Sequence, residues 1–221
     1  MIQCVIFDMD GVLIDSEPIH MACEREMFRL LGVSVTEEEH HSMIGSTDET
    51  MWTRIGSKHK ISKQLPELIK LKKELYFEHL ERNNKLEPIP YIPELIDDLL
   101  KNDFVLAVAS SSLREQIDFI LNKLDLRQFF RHTVSGEDVP VGKPNPDIFL
   151  KAAEWLGVNE QSCLVIEDSC NGVMAAKKAN MKCIAYINPN SGKQDLSSAD
   201  MKISSFNEIS ADTIKRKWRF R

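Results

Sequence analysis

Two carboxylates close together follow the first apolar run of this chain. The run Val5-Ile6-Phe7 leads directly into Asp8, and Asp10 lies two positions further on. Side chains alternate along a strand, so residues two apart point the same way. Two carboxylates held together repel each other, which is costly unless a cation or a proton lies between them. Gly11 then permits a sharp turn without a Cβ penalty. The pair is therefore a candidate cation-binding site.

Later apolar runs are also followed by polar residues. Ser110, with Ser111 and Ser112 behind it, follows the run 104–109, and the pair Glu167-Asp168 follows the run 163–166. Such runs, apolar on both faces, are typical of buried parallel strands, and ligands bind at the carboxyl edge of a parallel sheet. We therefore expect these groups, together with Lys143 from a loop, to lie close to Asp8 and Asp10.

The charges of this group predict a divalent metal and phosphate chemistry. Up to four carboxylates need more positive charge than Lys143 supplies, and Mg²⁺ is the usual oxygen-seeking cation where phosphate is bound. One carboxylate can attack phosphorus to form an aspartyl-phosphate, while a second donates a proton to the leaving oxygen and then deprotonates water. A lysine and a serine can bind the remaining phosphoryl oxygens, where negative charge develops.

The elements that must hold these residues alternate between strand and helix after residue 84. Strand-like runs cover 104–109, 163–166 and 183–187, and helical patterns cover 93–100 and 169–180. A further helix is predicted with Asn145 as its N-cap and Pro146 at its first position. This alternation predicts an α/β fold, a Rossmann-like parallel sheet with helices on both faces.

Residues 16–83 have a different pattern. Their apolar positions follow a helical period and include no convincing strand. We predict an all-α cap at 16–83, inserted into an α/β catalytic core formed by 1–15 and 84–221. An insert at this position would lie over the carboxyl end of the first strand and could act as a lid.

Four ordered motifs resemble those of the haloacid-dehalogenase-like hydrolase superfamily. Phe7-Asp8-Met9-Asp10-Gly11-Val12-Leu13-Ile14-Asp15-Ser16-Glu17 resembles its first motif, and Ser110, Lys143-Pro144 and Glu167-Asp168-Ser169 resemble the later ones. The inserted helices resemble the cap of the subgroup that contains β-phosphoglucomutase and sugar-phosphate phosphatases. The resemblance spans the whole chain, and four motifs in the expected order make it specific.

The resemblance implies a role for each motif residue. Asp8 would be the nucleophile and Asp10 the general acid/base. Mg²⁺ would be held by Asp8, the backbone carbonyl of Asp10 and Asp168, with Glu167 in or next to its ligand shell. The residues implied to bind the transferring phosphoryl group are Ser110, Ser111 and Lys143.

Three further residues are candidates for substrate binding, each with an ordinary alternative. His20 resembles a histidine that helps to position the acid/base in this subgroup, although a lone helical histidine is more often structural or exposed. Lys72 could reach a substrate phosphate, or could lie on a solvated helix face. Arg114 could contact phosphate, or could simply lie on a helix surface. Ser112 could cap the helix that follows it.

The loop 43–49 favours hydrolysis over mutase chemistry. Where β-phosphoglucomutase would be expected to offer a lysine and an arginine, this chain has Ile44 and Asp48. A mutase must hold a second phosphate strongly, and an aspartate adds repulsion instead. We therefore predict an Mg²⁺-dependent phosphatase of a small phosphorylated metabolite, such as a sugar phosphate. The alternative is β-phosphoglucomutase itself, which interconverts glucose 1-phosphate and glucose 6-phosphate and would need another cation, such as Arg54.

Composition limits the other possibilities. The net charge of −6 over 221 residues disfavours nucleic acid and anionic membranes as partners. Five cysteines without a C-x-x-C pair suit a reducing compartment, and no stretch has membrane-spanning length, so we expect a cytoplasmic monomer whose partner is its small-molecule substrate. A receiver-like signalling module would be shorter and would lack the insert. A non-catalytic relative would lose one of the motif residues, and a dehalogenase would lack Asp10.

Overall fold

The computed structural model describes residues 1–44, 48–83 and 85–218. The chain forms two compact units, the first built from residues 1–15 and 87–221 and the second from residues 16–86. The second border follows Leu86, whereas the sequence-based prediction placed it after Asn83. The part of the cap loop at residues 45–47, on which the comparison with mutases partly depends, lies outside the described residues.

The first unit contains a six-stranded parallel sheet in the order β3-β2-β1-β4-β5-β6. Its strands are β1 (Cys4–Phe7), β2 (Val105–Ser110), β3 (His132–Ser135), β4 (Cys163–Glu167), β5 (Lys182–Tyr186) and β6 (Met201–Ile203). The sheet order reverses beside β1, because β2 and β4 lie on either side of it. Ligands bind at this kind of switch point in open parallel sheets.

Helices bury the sheet. They are α5 (Ile92–Lys101), α6 (Arg114–Lys123), α7 (Asp147–Leu156), α8 (Cys170–Lys178) and α9 (Ala211–Lys217). Cys4 and Ile6 of β1 share one apolar cluster with residues of α7 and α8, and the alternate residues Val5 and Phe7 are also fully buried. Both faces of the strand are therefore covered, which explains its uninterrupted apolar run. The predicted α/β parallel sheet is confirmed.

Several local expectations need correction. The strands β3 and β6 are absent from the pattern of apolar runs in the sequence. The strand β3 carries His132, Thr133 and Ser135 beside one valine, so it has no apolar run to detect. Helix α7 begins at Asp147 with Pro146 as its N-cap, one residue later than expected.

Helices are the only regular secondary structure among the described residues of the second unit. Its helices are α1 (Glu17–Leu30), α2 (Glu37–His41), α3 (Asp48–Lys58) and α4 (Leu65–Arg82). Helices α1 and α4 pack along each other, and α3 also packs on α4. The side chains that form this core include Cys23, Met27, Trp52, Ile55, Leu68 and Leu80. Helices α1, α3 and α4 each have one apolar face, so burial against their neighbours stabilises them more than intrinsic helix propensity does.

All five cysteines are free thiols, as expected from their spacing. Over the ranges that the structure describes, no helix combines the length and the apolar character needed to cross a bilayer.

Candidate active site

Lys143 joins the ends of three neighbouring strands of the first unit. Its Nζ donates to Asp8 Oδ1 at 2.6 Å, to Glu167 Oε1 at 2.7 Å and to the carbonyl oxygen of Ala109 at 3.2 Å. Asp8 directly follows β1 and donates its own N–H to the carbonyl of Ile166, so its position continues the sheet. The structure therefore brings Asp8, Lys143 and Glu167 together at the carboxyl edge.

Burial and the neighbouring charges shift the pKa values of this group. Burial by itself favours the neutral amine of Lys143, but the adjacent Asp8 and Glu167 carboxylates raise its pKa, so the ammonium form persists. Burial also raises the pKa of Asp8 well above its usual range. The charge of Lys143 opposes this rise, whereas the Glu167, Asp168 and Asp10 charges add to it. One ammonium does not neutralise so many carboxylates.

Hydrogen bonds fix the carboxylate of Glu167, which is fully buried. Its Oε2 accepts from the N–H groups of Asp168 and Ser169 at 2.9 and 2.8 Å and from the Ser169 hydroxyl at 2.9 Å. Gly172 makes room for it, since a Cβ there would lie 1.7 Å from Glu167 Oε1. The same Ser169 hydroxyl accepts from the Gly172 N–H and so caps α8.

Asp168 is held by two features that follow different strands. Ser191, in the loop after β5, donates its hydroxyl to Asp168 Oδ2. Gly11 lies on the other side with φ +78°, and a Cβ there would lie 2.0 Å from the same oxygen. Only glycine fits both this backbone conformation and this approach. Ser191 has no signal in the sequence, because residues 188–194 resemble an ordinary polar loop.

Asp8, Glu167 and Asp168 form a candidate metal centre. Each offers an oxygen that lies within 4.8 Å of those of the other two. Burial, together with the charge of Glu167, raises the pKa of Asp168 to about 7, although Ser191 and Lys143 act in the opposite direction. Oxygen ligands with surplus negative charge fit a hard divalent cation such as Mg²⁺. The residues present therefore fit the predicted metal.

The carboxylate of Asp10 has a different environment. Its Oδ2 accepts from the hydroxyl of Ser112 at 2.7 Å and from that of Ser110 at 3.4 Å. It does not belong to the group of three carboxylates around the candidate metal centre. Ser111 is exposed. Asp8 and Asp10 thus contact separate groups, although they lie two residues apart.

Two expectations about the loop after β2 change. Ser112 does not cap α6, because the helix begins at Arg114 with Leu113 as its N-cap. Arg114 is not a free surface cation either. Its guanidinium contacts Asp138 and donates to the carbonyl and hydroxyl oxygens of Thr133 at 3.3 and 3.2 Å. Neither partner belongs to the carboxylate group.

The remaining candidates lie in the second unit, around a cavity of about 190 Å³. His20 stacks on Tyr76 with 4.1 Å between the ring centroids. Lys72 is buried, so the interpretation as a solvated helix face is wrong. Its ammonium donates to Glu24 Oε1 at 2.6 Å and also contacts Asp48. The cavity lining is Glu17, His20, Glu24, Met43, Ile44, Asp48, Met51 and Lys72.

The fold and this site define a class of proteins, the open parallel α/β proteins with a carboxylate cluster at the switch point of the sheet. Residues 5–186 match the family described as Haloacid dehalogenase-like hydrolase. The chain belongs to this family, and the sequence-based assignment to an enzyme of this superfamily is confirmed.

Its relatives include named phosphatases. Hexitol phosphatase B of Escherichia coli is 29% identical over 96% of each chain. Phosphorylated carbohydrates phosphatase of Thermotoga maritima is 32% identical over 82% of this chain and 83% of its own length. SUPPRESSOR OF QUENCHING 1, a chloroplastic protein of Arabidopsis thaliana, is 35% identical over 83% of this chain, which spans only 18% of that protein.

A solved relative comes from the mutase branch. The crystal structure of beta-phosphoglucomutase from Clostridium difficile superposes with a TM-score of 0.79 at 26% identity, covering 98% of this chain and 97% of that one. The hexitol phosphatase and the mutase are therefore both similar to this chain over nearly all of its length.

Proposed function

We propose that this protein is an Mg²⁺-dependent phosphatase that hydrolyses a small phosphorylated carbohydrate through an aspartyl-phosphate on Asp8. The observation that carries the proposal is the group formed by Asp8, Lys143, Glu167 and Asp168, with the Asp10 carboxylate beside it on separate partners. The names of the relatives, a hexitol phosphatase and a phosphatase of phosphorylated carbohydrates, support the substrate class.

The residues then have defined roles in the reaction. Asp8 attacks phosphorus, and the bond from phosphorus to the leaving oxygen breaks as Asp10 gives that oxygen a proton. Asp10 then takes a proton from water, which attacks the aspartyl-phosphate and releases inorganic phosphate. Lys143 and Ser110 bind phosphoryl oxygens, where negative charge develops. Asp8, Asp168 and Glu167 would hold Mg²⁺, and the ion would supply charge that offsets the repulsion between two anionic reactants.

The cavity of the second unit supports hydrolysis over mutase activity. A mutase needs strong cationic capture of a second phosphate. Here the cavity's buried Lys72 already pairs with Glu24 and Asp48, and Glu17 adds a further carboxylate. The mutase remains the second candidate, because the similarity to beta-phosphoglucomutase covers nearly the whole chain. In addition, Arg54, whose guanidinium lies 3.7 Å from the sulfur of Met43, could supply a cation near this cavity.

The test is release of inorganic phosphate from a panel of sugar and sugar-alcohol phosphates in the presence of Mg²⁺. Wild-type protein should turn over at least one of them, and Asp8→Asn should abolish this. Asp97→Asn is the matched control, since Asp97 is exposed and its only described ion pair is the surface contact with Lys101. If no phosphate ester is hydrolysed and Asp8→Asn behaves like the wild type, the proposal is wrong.

A second assay separates the two candidates. Conversion of β-glucose 1-phosphate to glucose 6-phosphate, with glucose 1,6-bisphosphate as activator, would report mutase activity. We expect phosphate release without this conversion. Efficient conversion that exceeds hydrolysis would favour the mutase.

A further inference from the structure

The loop between β2 and α6 contains three serines, and the third contacts the proposed proton carrier most closely. The hydroxyl of Ser112 lies 2.7 Å from Asp10 Oδ2, whereas that of Ser110 lies 3.4 Å from the same atom. A carboxylate only accepts hydrogen bonds, so the Ser112 hydroxyl is the donor of this short contact. We propose that Ser112 is a positioning residue that orients Asp10 for proton transfer to the leaving oxygen. This inference rests on the proposed function.

Ser112 is itself held in place from both sides of its backbone. Its N–H donates to the Ser110 hydroxyl at 3.0 Å, and its carbonyl accepts from the hydroxyl of Ser135 at 2.8 Å. Ser135 is the last residue of β3 and is fully buried. The Ser112 backbone is therefore connected to the sheet on both sides, and its side chain approaches Asp10 from a fixed direction.

The segment after β3 holds this connection in turn. The Ser135 hydroxyl also accepts a hydrogen bond from the Glu137 N–H at 3.1 Å. The backbone N–H of Ser135 donates to Asp138 Oδ2 at 2.8 Å. Gly136 permits the two loops to meet, since a Cβ there would lie 2.7 Å from the carbonyl oxygen of Ser111. Asp138 also binds the guanidinium of Arg114. Arg114 thus contributes to the loop structure rather than to the carboxylate group.

The ordinary role of a serine at this place is helix capping, and Ser112 does not perform it. Leu113 is the N-cap of α6, and its N–H donates to Gln116 Oε1 at 3.3 Å. The Ser112 hydroxyl contacts Asp10 across 102 positions of sequence. The Ser112 hydroxyl therefore binds the carboxylate of Asp10 and does not cap the helix that follows its own loop.

The contact selects one oxygen of Asp10 for the proton. When Asp10 is a neutral acid, Oδ2 still accepts from Ser112, so Oδ1 carries the transferable proton. In the reaction that proton moves from Oδ1 to the leaving oxygen as the phosphorus–oxygen bond breaks, and Ser112 keeps its own proton throughout. Ser112 therefore orients the Asp10 carboxylate, as hydrogen-bond partners orient catalytic histidines and metal ligands in other enzymes.

The effect of removing the Ser112 hydroxyl on the reaction rate depends on the leaving group. An alkoxide that leaves from a sugar alcohol is a strong base and needs the proton, whereas nitrophenolate leaves readily without it. Ser112→Ala should therefore lower kcat/KM, which reports the transfer to Asp8 and not the later attack of water, by ~10- to 100-fold for sorbitol 6-phosphate or for the best sugar phosphate of the panel. For para-nitrophenyl phosphate the loss should stay below about threefold, because less of its barrier depends on proton donation.

Two further variants complete the experiment. Ser112→Thr keeps the hydroxyl and should recover most of the lost activity, while Ser198→Ala, at an exposed serine of the same unit, should behave like the wild type. Equal losses on both substrates, or a threonine variant as slow as the alanine variant, would show that Ser112 serves only loop structure or phosphate binding. Wild-type protein that hydrolyses neither substrate would instead remove the proposed function, and this inference with it.

Discussion

Each compact unit of this protein buries one lysine between two carboxylates. In the first unit Lys143 lies between Asp8 and Glu167, and in the second Lys72 lies between Glu24 and Asp48. Both lysine side chains are less than a tenth exposed. The two arrangements nevertheless differ in what surrounds them.

The difference lies in the balance of charge. In the second unit His40 Nε2 lies 2.7 Å from the other oxygen of Glu24, and Asp48 is partly exposed. Burial there favours the neutral acid, but the hydrogen bond with His40 and the charge of Lys72 lower the pKa of Glu24. In the first unit Asp168 adds a further carboxylate, and the pKa values of Asp8 and Asp168 are raised. The charges around Lys72 in the second unit are therefore balanced by their partners, whereas the carboxylates around Lys143 in the first unit still favour binding of a cation.

The largest expected effect follows from removing each lysine. Lys143→Met should reduce kcat/KM by ~10²–10³-fold, because it removes a donor to the transferring phosphoryl group. Both Lys143→Met and Lys72→Met should destabilise the fold by about 3–5 kcal/mol, since each removes the ammonium partner of a buried carboxylate, Asp8 in the first unit and Glu24 in the second. Mg²⁺ should restore much of this loss for Lys143→Met and little for Lys72→Met, as measured by thermal unfolding with and without the metal.

The same experiment can contradict the comparison. Equal recovery of the two variants in Mg²⁺ would mean that the groups do not differ in their affinity for a cation. Ca²⁺, a divalent ion that also binds oxygen ligands, should stabilise Lys143→Met in the same direction if charge is the cause.

The sequence predicts the first unit better than the second. Apolar runs identify β1, β2, β4 and β5, and the ordered motifs point to Asp8, Lys143 and Asp168. Asp8 and Asp168 each follow a strand whose burial is evident from its composition, whereas Lys143 lies in a loop and only the Lys143-Pro144 motif indicates it. The strand β3 escapes detection because its residues are mostly polar, although the structure buries three of its four. Its burial depends on the helices α6 and α7 that pack on it, which no local pattern encodes.

Partners of the site residues are harder to predict than the residues themselves. Ser112 and Ser191 each donate to a carboxylate that lies far away in sequence, so spacing gives no signal. Lys72 resembles a surface lysine in a charged helix, and only the approach of α1 and α3 shows that it is buried. These contacts arise from packing between segments distant in sequence.

A smaller effect is expected from two glycines, one in each unit. Gly172→Ala would place a Cβ 1.7 Å from Glu167 Oε1, so the carboxylate must shift, at a cost of about 1–3 kcal/mol. Gly56→Ala, in helix α3, meets no atom within 4 Å and should stabilise the protein by about 0.5–1 kcal/mol. Chemical denaturation measures both changes, and phosphatase activity should fall only in Gly172→Ala. Unchanged activity in that variant would mean that Glu167 need not occupy its present position.

A pH effect tests the candidate metal centre of the first unit without mutation of its lysine. Asp168 has its pKa raised from 3.8 to about 7, so the metal-free folded state binds a proton that the unfolded state releases. Its contribution to stability is therefore present below pH 4 and is lost as the pH rises through 7. Mg²⁺ binds the deprotonated carboxylate, so the stabilisation by Mg²⁺ should increase between pH 6 and pH 8, by at most ~1.4 kcal/mol per pH unit for one proton. Calorimetric unfolding at these two pH values measures this increase. Asp168→Asn should show a small Mg²⁺ effect at both, and a wild-type Mg²⁺ effect independent of pH would contradict metal binding at Asp168.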